Sequence, residues 1–289
     1  MRRILVSVSL LALCAGSVVP VLAEDAPLGT KRPKVMQVFT EEVKPGRQPA
    51  HTKSEAGWPA ALRKANNKGY YLAISSGNDV WFLNPYASFA AAEAQAKSDE
   101  ANTALGAELD RLWPVDGELL SKTNSMTLVL NEDLGFHADW DTAKMRYYAV
   151  TVVRLQPGYG REYEQLRKLV NAAHEKAKVD ERWSVYEVIT GAPDDTYVYF
   201  SPLASLAEWD KYEAMHGKDY QEALGDDGRN RLREFNRAAV KSSETKLFSL
   251  SPKMSYLPKE MTDRDPDFWT PKPAPAPAPA GKKEEKKKP

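Results

Sequence analysis

The chain has 289 residues, of which 42% are hydrophobic, and its 40 basic and 40 acidic side chains cancel to a formal charge of zero. Its single cysteine, Cys14, lies in the apolar leader. The rest of the chain therefore holds no thiol or disulfide, which excludes thiol catalysis and a disulfide scaffold. Removing the leader's two arginines and the net +4 of residues 270–289 leaves the body at about −6, and a mildly acidic body without a basic stripe speaks against a nucleic-acid surface.

Residues 1–23, MRRILVSVSLLALCAGSVVPVLA, combine Arg2 and Arg3, an apolar run from Ile4 to Val19 and the small-residue signature Val21-Leu22-Ala23. This pattern predicts a secretory signal peptide cut near Ala23 and an exported protein, periplasmic or secreted. The run is shorter than the ~20 apolar residues of a membrane helix, and nothing later in the chain reads as a transmembrane span. Lipidation at Cys14 is disfavoured because Leu13 stands where a small residue is wanted. Residues 24–33 read as a polar spacer.

Residues 34–131 form a first module. Lys34 to Val43 alternates with period two and reads as a strand, stopped by Lys44-Pro45-Gly46. On it Gln37, Phe39 and Glu41 share one face and Met36 and Val38 the other; the expectation is that Gln37 and Glu41 face a barrel interior, with Met36 and Val38 under helices. The next helix is irregular, because Pro59 lacks a donor and clashes one turn back, so a kink or a break into two short helices is expected there. Tyr70–Ser75 and Val80–Asn84 read as strands around Ser76-Gly77-Asn78-Asp79. Helices follow at Ala87–Lys97 and Ala101–Leu112, ended by Trp113-Pro114, and Ser125–Asn131 is the fourth strand.

After a linker at 132–144, residues 145–251 repeat the order. Arg146–Leu155 is a strand, stopped by Gln156-Pro157-Gly158. Gly160–Lys178 carries an apolar stripe of Tyr163, Leu166, Leu169, Val170, Ala173 and Ala177 at helical spacing. Arg182–Thr190 and Thr196–Ser201 make the hairpin, and Thr245–Leu250 is the last strand. Tyr186 to Ser205, YEVITGAPDDTYVYFSPLAS, restates Tyr71 to Ser88, YLAISSGNDVWFLNPYAS, and the offset between copies grows from 112 at Pro45 and Pro157 to 121 at Ser121 and Ser242. Residues 252–269 form an extension expected to wrap the body. Residues 270–289 are a disordered Pro-Ala spacer of extended polyproline type ending in lysines, a candidate for weak contact with an anionic envelope surface.

Each module reads β-α-β-β-α-β, the ferredoxin-like pattern, so the fold class is α+β. With the Pro45-Gly46 and Pro157-Gly158 stops and the repeated Pro-x-Ala-Ser at Pro85 and Pro202, the chain resembles the dimeric α/β-barrel superfamily, which includes antibiotic-biosynthesis-monooxygenase-like, EthD-like and NIPSNAP-like proteins. The resemblance implies that the tandem modules form one intramolecular, pseudo-dimeric barrel. It also implies activities as different as cofactor-free oxygenation and haem degradation, so it does not fix the function. The haem degraders share an Asn on the first strand, a Trp in the sheet and a His on the second helix. Here Gln37 and Trp81 stand without a histidine between Ala87 and Leu112, and His216 stands with Tyr197 and Tyr199 in place of the Trp. Haem thus remains a cofactor with an incomplete residue set, and no cofactor is predicted.

Glu41, in a desolvated place, suits a general base, and His51, Glu55, Trp58 and Leu62 recur at helical spacing on one face. Glu41 and His51 are the catalytic candidates. Gln37, Trp58, Tyr71, Trp81, Tyr186 and Tyr199 are candidates for a ligand pocket. His137 with Asp139 and Asp141 is a weak cation signal, and no metal is predicted. His174 reads as a boundary residue. No G-x-S-x-G, H-E-x-x-H, Walker or G-x-G-x-x-G motif occurs in a fitting context. The leading expectation is an exported protein holding a small apolar or aromatic ligand in a barrel pocket; the alternatives are a cofactor-independent monooxygenase-like enzyme using Glu41 or His51, and an envelope-associated scaffold.

Overall fold

A computed structural model describes residues 30–211 and 217–270. The expected signal peptide with Cys14, residues 24–29 of the spacer, His216 and the lysine tail lie outside the described residues. Eight strands close into one antiparallel barrel: β1 (Val35–Val43), β2 (Leu72–Ser76), β3 (Asp79–Tyr86), β4 (Leu120–Leu130), β5 (Tyr147–Leu155), β6 (Ser184–Thr190), β7 (Thr196–Leu203) and β8 (Val240–Leu250). The order around the barrel is β1-β3-β2-β8-β5-β7-β6-β4. Each module thus contributes four neighbouring strands in the same relative order, and the halves join where β2 pairs with β8 and β4 with β6. This is the pseudo-dimeric α/β barrel expected from the duplication.

The Pro-Gly stops after β1 and β5 behave alike, with Gly46 at φ +77° and Gly158 at φ +91°, a region in which glycine pays no Cβ penalty. After β1 the chain forms α1 (Gln48–Glu55) and α2 (Gly57–Lys64); after β3 it forms α3 (Phe89–Ala101) and α4 (Thr103–Gly117). The second module carries α5 (Gly160–Ala177) and α6 (Lys218–Ala239), the latter kinked at Gly225. The α5 stripe is buried at Tyr163, Leu166, Val170 and Ala173. Two short helices, α7 (Lys259–Thr262) and α8 (Pro266–Trp269), end the described chain. Among the described residues no helix is long and apolar enough to cross a membrane.

The barrel interior is packed rather than hollow. Val38, Ile74, Leu83, Leu128, Val150, Tyr186, Val198 and Phe248, one from each strand, belong to a single buried cluster. Eight strands enclose a bore about wide enough for side chains to fill, and each fully buried aliphatic or aromatic side chain contributes roughly 1.5–3 kcal/mol. Trp140, Ala143, Met145, Leu257, Met261 and Trp269 extend the same cluster, so the linker and the C-terminal extension pack onto the barrel. Part of the bore is a polar recess of about 250 Å³ that includes Glu42, Asp79, Lys122, Arg154 and Lys246, with Trp81, Val150 and Phe248 among its apolar walls.

This arrangement corrects two expectations. Among the described residues the bore holds no wholly apolar pocket: apolar side chains from all eight strands pack together there, and the space that remains is the recess lined in part by charged groups. The faces of β1 are also reversed: Met36 and Val38 belong to the interior cluster, while Phe39 packs with the outer cluster of Val43, Ala73, Val80 and Phe82. Alternation separates the two faces of a strand, but both faces here are covered by apolar matter, so the pattern did not say which one was inside.

Candidate functional site

On the outer wall of the first module, β1 turns Glu41 toward the helices, where it is 3% exposed. The turn at Lys44–Gly46 sends α1 back across that wall, and His51 places Nε2 2.7 Å from Glu41 Oε2. A continuous helix would drive the Pro59 ring into the carbonyl of Glu55. The chain instead breaks at Ala56, which closes α1 and opens α2. Pro59 then sits in the first turn of α2, where amide donors have no intrahelical partner in any case. The expected break is therefore present, a few residues before the proline, and Glu55 lies at the end of α1, 3% exposed.

Asp116 supplies the fourth group. The reading that Trp113-Pro114 ends the helix is corrected: α4, capped by Asn102 accepting from the Leu105 amide at 3.0 Å, runs through Pro114 to Gly117. The extra turn places Asp116, 0% exposed, with Oδ1 3.7 Å from His51 Nε2. One donor atom from each of Glu41, His51, Glu55 and Asp116 lies within 4.8 Å of the others. Glu55 was legible on the His51 face, but Asp116 was missed. Its signal was the recurrence Leu105, Leu112, Asp116, which continues the buried stripe of α4 past the proline.

Three carboxyls and one imidazole in a dry site cannot all carry their usual charge without further compensation. Burial pushes the Glu41 carboxyl above its ordinary range, the hydrogen bond with His51 draws it down, and the Asp116 charge raises it again. Glu55 is pushed up to about 10, by burial first and then by the Glu41 and Asp116 charges. The Tyr71 hydroxyl is raised by burial and then by Glu55. Such a group of donors can hold protons against their normal acidity, or it can surround a cation.

Beside the cluster lies an apolar cleft of about 300 Å³, lined by Phe39, Trp58, Tyr71, Phe82, Leu109 and Trp113, with Glu41, Glu55 and Asn84 on its wall. Trp58 meets Trp113 edge-on at 5.3 Å, Phe39 lies 5.8 Å from Trp113, and Tyr71 meets Phe82 edge-on at 5.6 Å. Trp113 is 50% exposed, so its ring forms an outer lip.

Of the sequence candidates, Glu41, His51, Trp58 and Tyr71 come together here, and four others go elsewhere. Gln37 is exposed, paired in register with Asn84. Trp81 faces the barrel bore, 5.3 Å from Phe248. Gln37 and Trp81 thus lie on opposite faces of the wall, and no haem residue set forms from them. Tyr186 fills the bore, and its hydroxyl donates to the Pro33 carbonyl at 3.1 Å. Tyr199 is buried in the second module, its hydroxyl 2.6 Å from that of Tyr163. At the Glu41 position the second module has Val153, packed in an apolar cluster with Tyr163 and Phe235, so the site belongs to one module.

The other two histidines among the described residues, His137 and His174, form no such site. His137 is exposed and pairs with Glu175 at 3.2 Å, and Asp141 caps the Ala143 amide and pairs with Arg264, so the weak cation signal there is not borne out. His174 is buried rather than at a boundary, with Nδ1 2.8 Å from the Val170 carbonyl and Nε2 3.3 Å from Glu181.

No family model and no curated protein matches the chain. Solved structures match it in fold. An anthrone oxidase-like protein is 16% identical with a TM-score of 0.49, the match covering 75% of this chain and 92% of that one. A candidate monooxygenase from Lactobacillus acidophilus NCFM is 11% identical with a TM-score of 0.47, over 78% of this chain and 98% of that one. Chlorite dismutase from Candidatus Nitrospira defluvii, in complex with imidazole, is 12% identical with a TM-score of 0.45, over 81% of this chain and 96% of that one. The likeness is one of fold alone.

Proposed function

We propose that this protein binds and transforms a small aromatic or apolar molecule in the cleft of the first module. The observation that carries the reading is the junction of an aromatic cleft with a buried carboxylate–imidazole cluster, Glu41 and Glu55 being shared by both. Ligand sites of this size are mostly apolar, with a few converging polar groups that fix orientation. The Trp58 and Trp113 rings take the apolar body of the ligand. A polar substituent, such as a phenolic hydroxyl, then points at the carboxylates. This relocates the expected pocket from the bore to the outer wall and places the monooxygenase-like alternative, oxidation of an activated aromatic by oxygen, at the same cleft. We also place the protein outside the cytoplasm, on the strength of residues 1–23; a purified chain that still begins at Met1 after expression in its host overturns that part.

The experiment is a titration of the purified protein with phenols, quinols and fused-ring hydroxyaromatics, followed by tryptophan fluorescence and thermal shift. Saturable quenching is expected, and it should be lost in Trp113→Ala. Oxygen consumption with the bound compounds then reports the reaction. A panel that neither quenches nor stabilises overturns the reading.

A further inference from the structure

The geometry points to a divalent transition-metal site formed by Glu41, His51, Glu55 and Asp116. The inference rests on the proposed reading of the cleft only for the direction of the open coordination position; the ligand set stands on its own geometry.

The four donor atoms, three oxygens and one nitrogen, lie within 4.8 Å of one another. Bond lengths of about 2.0–2.2 Å to carboxylate and imidazole put two ligands of one ion at most about 4.4 Å apart, so a small contraction of the cluster brings all four into reach. Asp116 supplies an independent sign. Its side chain is 0% exposed, and neither carboxylate oxygen has a hydrogen-bond partner among the described residues other than a proton carried by Glu41 or Glu55. A carboxylate taken out of water without partners carries a large penalty. The His51 imidazole already lies against Glu41 at 2.7 Å and reaches Asp116 only at 3.7 Å. A divalent cation among the four side chains would supply what Asp116 lacks and neutralise the excess acidity.

The scaffold suits this. The ligands stand on a barrel strand and two helices, elements that hold a constellation better than loops do. Three hard oxygens and one borderline nitrogen favour Mn²⁺, Fe²⁺ or Zn²⁺; Mg²⁺ and Ca²⁺ prefer oxygen alone, and Cu(I) prefers sulfur. Because Glu41 and Glu55 line the cleft, the open position of such an ion faces the proposed ligand, whose hydroxyl oxygen would bind there.

The test uses the full chain, stripped with a chelator and dialysed against Mn²⁺, Fe²⁺ under anaerobic conditions, Zn²⁺ or Mg²⁺, with metal content measured by plasma mass spectrometry and folding by circular dichroism and melting temperature. Close to one equivalent of a transition ion per chain is expected, with a rise in melting temperature that Mg²⁺ does not reproduce. Asp116→Asn and Glu55→Gln, both near-isosteric, should fold yet weaken affinity by more than about 100-fold, well beyond the ~10–100-fold typical of outer-shell changes. Wild-type protein that takes up no ion, or folded variants that bind as the wild type does, overturn the inference. Trp113→Ala separates the two readings: it should lose the aromatic ligand and keep the metal. Ligand binding to chelated protein without any metal uptake sinks the metal site alone, whereas metal uptake without any aromatic ligand sinks the cleft reading alone.

Discussion

His51 Nε2 and Glu41 Oε2 meet at 2.7 Å with both side chains 1% exposed, although ten residues and a complete reversal of the chain separate them. The contact depends on the turn at Gly46 and on the direction of α1, and it is a close hydrogen bond in a cluster that holds two more carboxyls. In metal-free protein, His51→Leu leaves three buried carboxyls facing one another. Breaking a buried pair by removing one partner costs about 3–5 kcal/mol, and a loss of that order is expected in urea denaturation. Glu55, pushed up to about 10 by burial, is already uncharged at neutral pH, so Glu55→Gln removes no charge and should be close to neutral in the same assay. A stabilising His51→Leu would show that the cluster is held by protons alone.

Trp113 is a large aromatic ring that is half exposed yet stacks edge-on against Trp58 and lies near Phe39. Its truncation removes little buried area but removes one wall of the cleft. We expect Trp113→Ala to cost about 1 kcal/mol of stability, close to the value of an aromatic pair, and to weaken aromatic ligands about tenfold or more. Equal losses of stability and affinity would make the ring a structural residue.

The duplicated barrel was legible because Pro45-Gly46 and Pro157-Gly158, and Pro85 and Pro202, mark equivalent chain reversals that depend on local backbone chemistry. Glu41 was legible on a strand face shared with Gln37 and Phe39, and His51 on a helical face shared with Glu55, Trp58 and Leu62. The inside and outside of β1 were not legible, since Val38 is buried in the bore and Glu41 is buried under helices. Asp116 was hidden by Pro114, which reads locally as a helix stop; tertiary packing of Leu105 and Leu112 carries α4 one turn further. Tyr186 and Tyr199 look equivalent to the first module's aromatics in sequence, yet one fills the bore and the other packs against Tyr163.

Gly191 closes the β6–β7 hairpin at φ +86°, and a Cβ there would sit 1.9 Å from the Ser125 carbonyl oxygen of β4. The obstacle is backbone, at the seam where β4 joins the two modules through β6, so it cannot swing aside as a side chain could. Gly77 closes the matching hairpin at φ +58° with nothing within 4 Å of the added atom. Gly77→Ala should therefore cost only the left-handed penalty, about 1–2 kcal/mol. Gly191→Ala should cost at least about 3 kcal/mol, the strain of a disfavoured backbone plus displacement of the strand. Equal midpoints for the two variants in chemical denaturation would mean that the seam yields freely.

The C-terminal extension is tied to the barrel by Arg146, which donates to Asp265 Oδ2 at 2.5 Å and lies over the Phe268 ring at 4.0 Å. The hydrogen bond from Arg146 holds the Asp265 carboxyl below its ordinary range. A carboxyl whose folded pKa is depressed contributes stability above its unfolded value of about 3.9, and that contribution fades as pH falls through the lower folded value. The pair is partly exposed, with side chains 30% and 17% accessible, so its worth is at the upper end of the surface range, about 1 kcal/mol. Asp265→Asn should lower stability by that amount at pH 7, and the difference from the wild type should shrink as pH falls below about 3.9. A difference that persists undiminished at pH 3 would assign the contact to packing around Phe268 rather than to charge.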